Sequence, residues 1–209
     1  MRSAPCVISV AEHAGWAHAV CVAAPGSVPA VVERQRITLI EPGLPTLPYH
    51  HDTIGMQEDE ANVLLARVKR SIGACTSREL RRLVADLAPA YAVVALAIRE
   101  PVFPALPKSV AGVWASYRLQ CAADGVMYQL ALCRAARDLD LEVHSCRRGQ
   151  EAVRAAERLG VTADTIESFV TNTGRPSGPP WTQEHRRAYA AGIAALASRM
   201  RRSFRIPVS

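Results

Sequence analysis

The chain carries two hydrophobic rhythms, and their order along the sequence predicts its elements. Short apolar runs with strand character come first, at Val7–Val10, Ala17–Val22 and Ile37–Ile40. His13-Ala14-Gly15 reads as the turn of a hairpin joining the first two. Pro25-Gly26-Ser27-Val28-Pro29 reads as the turn into a third strand over 31–40. From Gln57 the apolar spacing becomes helical, with Val63, Leu64, Val68 and Ile72, then Leu80, Leu83, Val84 and Leu87. Gly73 is expected to interrupt this helix, with Thr76-Ser77-Arg78-Glu79 capping a second segment. A fourth strand follows at Ala92–Ile98, and Pro101, Pro104 and Pro107 make a stiff crossover after it. The pattern then predicts a long helix from Val113 to Asp138, a strand at Leu141–His144 and a helix from Glu151 to Leu159, ended by Gly160. A Gly/Pro-rich loop over 173–180 precedes a last helix from Trp181 to about Met200.

Three antiparallel strands followed by helix–strand alternation predict an α/β fold with a mixed five-stranded sheet flanked by helices. The 209 residues fit a single domain, 1–209, with a Pro-rich loop at 41–56 and a basic tail at 201–209. No apolar run reaches the roughly 18 residues of a membrane span, and no secretory segment follows Met1. A cytoplasmic location is the default expectation. The six cysteines (Cys6, Cys21, Cys75, Cys121, Cys133, Cys146) form no C-x-x-C pair. A zinc knuckle or redox motif is therefore not expected, and reduced, buried thiols are.

The formal charge of +6 is compatible with a polyanionic partner. Arginine supplies nearly all the positive charge, since Lys69 and Lys108 are the only lysines. Arginine suits bidentate phosphate contacts, although a GC-rich genome produces the same bias together with abundant alanine. Arg147-Arg148 after the fifth strand and Arg186-Arg187 on the last helix are the candidate nucleic-acid-binding residues. Trp16, Trp114 and Trp181 are expected to be packing anchors, because aromatics at 5% supply base stacking poorly.

Carboxylates close two of the predicted strands, Glu12 the first and Glu100 the fourth. Glu100-Pro101-Val102-Phe103 looks like the E-x-V-F segment that ends the fourth strand in the RuvC-type branch of the ribonuclease-H-like superfamily. That branch comprises the Holliday junction resolvases and their relatives. Glu184-His185-Arg186-Arg187-Ala188-Tyr189-Ala190 lies where that family places D-x-x-D-A-x-A, and Glu12-His13-Ala14-Gly15 where it places D-x-G. In element order the chain resembles the family over most of its length. The resemblance implies a ribonuclease-H-like fold, a nucleic-acid partner, a homodimer, and Glu12, Glu100 and Glu184 as ligands of Mg²⁺ or Mn²⁺. Catalysis would then be metal-assisted phosphodiester hydrolysis, with His185 or His13 carrying a proton.

Two departures from the family pattern bear on that chemistry. Glutamate, one methylene longer than aspartate, stands on the first strand with an extra residue before Gly15. Arg187 stands where a second helix carboxylate is expected, and two divalent ions need several carboxylates to offset their charge. The sequence thus leaves open a metal-dependent nuclease acting on structured or double-stranded nucleic acid. The alternative is a catalytically degenerate nucleic-acid-binding or assembly module of the same fold. Tyr49-His50-His51-Asp52 has no counterpart in the resolvase pattern. Its His51 and Asp52 are further candidate catalytic residues, which keeps a hydrolase of small molecules as a third reading.

Overall fold

In the computed structural model, which describes residues 3–100, 105–173, 180–199 and 205–207, five strands form one sheet in the order β3-β2-β1-β4-β5. β1 (Ala4–His13), β2 (Trp16–Ala23) and β3 (Ala30–Thr38) are antiparallel neighbours. β4 (Tyr91–Arg99) runs parallel to β1, and β5 (Glu142–Cys146) parallel to β4. The mixed sheet expected from the element order is the one observed.

Period-2 alternation divides the core in two. Ile8, Val10, Ala19, Cys21, Leu96 and Ile98 face α1 (Glu58–Leu87) and α3 (Tyr117–Arg137). Val7, Ala11, Val20, Val22, Ala95 and Ala97 face α4 (Glu151–Leu159), α5 (Ala163–Thr173) and α6 (Gln183–Arg199). Both faces are covered, so the central strands read as nearly continuous apolar runs. Helix α6 lies close on the sheet because Gly192 has no side chain: a Cβ there would come within 2.5 Å of Val22 Cγ2.

Several boundaries differ from the sequence reading. α1 runs unbroken through Gly73 and Thr76. Leu65, Val68 and Ile72 on one side and Leu80 and Leu83 on the other are buried in the same core. That packing outweighs the roughly 1 kcal/mol a mid-helix glycine costs. Thr76 is buried and does not act as a cap. The helix expected from Val113 to Asp138 is divided into α2 (Val110–Trp114) and α3, because Ser116 adopts an extended conformation and its Oγ caps the Leu119 amide at 3.2 Å. α5 is an additional helix, and Cys121 is exposed rather than buried. The loop over 41–56 contains one π-helical turn, Pro48–Asp52.

Pro101, Val102, Phe103 and Pro104, the loop residues 174–179 and tail residues 201–204 lie outside the described residues. Of the tail, the Arg205 amide donates to Ser27 O at 2.6 Å and Ile206 joins the α6 core. Among the described residues, no helix is long and apolar enough to cross a membrane.

Candidate functional site

The β1–β4 register aligns Ser9 with Ala97, and Glu12 and Glu100 each lie three residues farther along. The two glutamates therefore reach the same end of adjacent central strands. Alternation sends Glu12 to the α3 side, where its Oε1 accepts a 2.8 Å hydrogen bond from Gln129 Nε2. Glu12 is only 9% exposed, and its Oε2 is buried with no hydrogen-bond partner. The Glu100 amide donates to Cys146 O at 2.8 Å, and its carboxylate accepts from Arg147 Nε at 3.2 Å.

Arg99 points the opposite way from its neighbour Glu100 and meets α6. Its Nη2 donates to Glu184 Oε2 at 3.2 Å, while its Nη1 lies 3.7 Å from Glu12 Oε1. The other Glu184 oxygen, Oε1, accepts from Arg148 Nη2 at 3.3 Å and Arg187 Nη1 at 3.2 Å. A cavity of about 400 Å³ opens over this network, lined among others by Glu12, Arg99, Glu100, Asp124, Gln129 and Arg148. A sequence pattern built on acids misses Arg99. Its one signal is period: on a strand, the neighbour of a rim glutamate faces the opposite layer.

Do these residues fit the divalent ion that the resemblance implies? A Mg²⁺ or Mn²⁺ site needs carboxylate oxygens free to converge on one point. Here a guanidinium is shared between Glu12 and Glu184, and two further arginines hold the second oxygen of Glu184. Among the described residues, no group of three His, Cys, Asp or Glu side chains is placed to hold a metal. The donor set as arranged does not fit, because arginine already supplies the positive charge.

The Pro-rich loop is anchored beside the same cavity by a residue that sequence reading passed over. Asp124, fully buried on α3, accepts from the Tyr49 amide at 3.0 Å and the His50 amide at 3.1 Å. Burial pushes its carboxyl up to about 6, against the lowering effect of those two amides. His51 and Asp52 are exposed on the turn and do not line the cavity. The His51 ring packs on His50, 3.9 Å away between centroids. The two candidate residues thus stand apart from the strand-end glutamates.

His185 faces away from the cavity. It is buried, its Nδ1 accepts from the Thr182 amide at 3.2 Å, and its ring packs against His18 and Trp181. His13 stacks on Trp16 at 4.1 Å, with the Arg36 guanidinium 4.3 Å from the same indole. Trp181 also donates to Val170 O at 2.9 Å, and Trp114 to Thr53 Oγ1 at 3.1 Å. All three tryptophans therefore serve as packing anchors. Arg186 lines a separate cavity of about 350 Å³ beneath α4, α5 and α6, together with Arg187.

Burial lowers all three stacked histidines, His13, His18 and His185, the last to about 4. His185 is therefore neutral in the folded protein near pH 6, and His13 and His18 are shifted in the same direction, whereas the unfolded chain protonates all three below about 6.5. The unfolded state then binds more protons, so stability falls as pH drops from 6.5 towards 4. For His185 the loss should be on the order of 2 kcal/mol after allowance for solvent screening. Urea unfolding at pH 7 and pH 5 checks this, and His185→Gln should flatten the slope.

No family model matches the sequence, and no curated protein matches it. Among solved structures, Thermus thermophilus RuvC in complex with a Holliday junction substrate superposes with a TM-score of 0.55. That alignment has 12% identity and covers 94% of this chain and 96% of the other. A second Thermus thermophilus RuvC structure gives a TM-score of 0.53 at 11% identity, covering 93% and 95%. At this identity the likeness establishes the fold: the chain has the ribonuclease-H-like architecture of RuvC.

Proposed function

We propose that this protein is a nucleic-acid-binding module built on a ribonuclease-H-like fold, in which arginine has replaced the catalytic metal. The observation that carries this reading is the Arg99 guanidinium, lying between Glu12 and Glu184 at the strand ends. A carboxylate cluster neutralised by arginine has little left to offer Mg²⁺. The four arginines around it (Arg99, Arg147, Arg148, Arg187) suit phosphate oxygens. The partner class follows from those arginines, the basic balance, and the RuvC neighbour's complex with a Holliday junction substrate.

Binding should be measured by fluorescence anisotropy on four-way-junction and duplex DNA. Cleavage should be followed on branched, duplex and hybrid substrates with Mg²⁺ or Mn²⁺. The expected result is binding that weakens steeply with salt and no product above background. Product that disappears in Glu100→Ala would establish a metal-dependent nuclease instead. Absence of any nucleic-acid affinity would exclude both readings.

One feature favours that nuclease alternative: Glu12 Oε2, buried and unpartnered, is an oxygen free for a ligand. It makes a direct demand, namely Mg²⁺ binding in the presence of DNA that is lost in Glu12→Gln. Calorimetric silence in that titration removes it.

A further inference from the structure

We infer that Glu184 is a built-in competitor for a nucleic-acid phosphate, occupying an arginine cradle that a backbone phosphodiester takes over on binding. This rests on the nucleic-acid-binding reading above and adds to it a specific phosphate site and a latch. Both oxygens of one carboxylate are held by three guanidiniums delivered from three places. Arg99 comes from the end of β4, Arg148 from the turn after β5, and Arg187 from the next turn of α6. Within the cradle three cations face Glu184 and the shared Glu12, one positive charge in excess. Of the other acids lining the adjacent 400 Å³ cavity, Glu100 is paired with Arg147 while Asp124 accepts two backbone amides.

The cradle is open where a strand of nucleic acid would approach. Arg148 is 59% exposed, and both Arg148 and Arg99 line the cavity. Two planar guanidinium forks match the oxygens of a phosphodiester at least as well as those of a carboxylate. Glu184 is tethered by its own helix and needs only a rotamer change to withdraw. A phosphate entering the cavity would meet Arg148 first and reach Arg99 as Glu184 leaves.

In this scheme Glu184 opposes binding, so the variant that would cripple a metal site should here improve affinity. The test compares wild type, Glu184→Gln and Arg148→Ala on labelled four-way-junction DNA in magnesium-free buffer containing a chelator, across a salt series. Glu184→Gln should tighten binding by about fivefold, as the competing anion is removed. Arg148→Ala should weaken it by about tenfold and make the salt dependence shallower by roughly one phosphate contact.

Wild-type binding with unchanged or weaker affinity in Glu184→Gln overturns the latch and leaves nucleic-acid binding standing. No binding by wild type or by Glu184→Gln overturns both. Circular dichroism monitors folding. Should Glu184→Gln fail to fold, Arg148→Ala at its exposed position decides, since unchanged affinity and salt slope there overturn the cradle.

Discussion

Replacing Arg99 by leucine should lower the unfolding free energy by about 3 kcal/mol, because it strips the shared cation from two carboxylates that stay largely buried. Glu12 is the costlier of the two to strand. Its Oε1 keeps Gln129, but its Oε2 has no partner even in the wild type. Glu184 keeps Arg148 and Arg187 and should adapt more easily. For a chain of this size the melting temperature should fall by roughly 6–12 °C.

The same substitution has a second, more diagnostic consequence. With the guanidinium gone, Glu184 Oε2 and Glu12 lose their shared cation, so Mg²⁺ should raise the melting temperature of the variant and not that of the wild type. Thermal unfolding of both proteins with and without Mg²⁺ measures the two effects together. Equal responses to Mg²⁺ would refute the view that Arg99 stands in for the metal.

Asp124→Ala should release the π-helical turn over Pro48–Asp52 without unfolding the sheet. The Tyr49 and His50 amides would lose their acceptors beside a fully buried position, at a local cost of about 2–3 kcal/mol. Their hydrogen exchange should accelerate by about a hundredfold, while core amides of β1 and β4 change far less. Tyr128, whose hydroxyl donates to Thr46 O at 2.8 Å, ties the loop at a second point and should limit the opening.

Asp124 also acts on the pH dependence, in the opposite sense to the histidines. Its carboxyl titrates near 6 in the folded protein, above its free value of 3.8. The folded state therefore holds the extra proton, and stability rises as pH falls through that window. Removing Asp124 eliminates this opposition, so the acid loss caused by His13, His18 and His185 should become steeper in Asp124→Ala. A slope unchanged between pH 7 and 5 would contradict the assignment.

The hydrophobic rhythm of the chain was sufficient for the order of elements along it and for a mixed five-stranded sheet, since three apolar strand runs followed by helix–strand alternation admit few arrangements. It also put Glu12 and Glu100 at the ends of two strand runs, while the adjacency of those strands came from the resemblance and is seen in the β1–β4 register. Periodicity failed where a long-range contact overrode a local breaker, and where a local cap interrupted a continuous apolar spacing. Gly73 punctuates α1 in sequence, but buried leucines on both sides hold the helix through it. Ser116 divides a helix whose apolar spacing looks continuous across it.

The charge pattern of the site belongs to the tertiary structure alone. Sequence supplied the three carboxylates and, by resemblance, an expectation of what they bind. It could not show that Arg99, Arg148 and Arg187 arrive from separate elements at one carboxylate, since 85 residues separate Arg99 from Glu184 along the chain. Nor could it single out Asp124, an ordinary helix residue until the loop folds onto it. Local pattern determines elements because side-chain period is a near-neighbour property. Electrostatic partnership is set by distances of a few ångströms in space, and those exist only once the layers have packed.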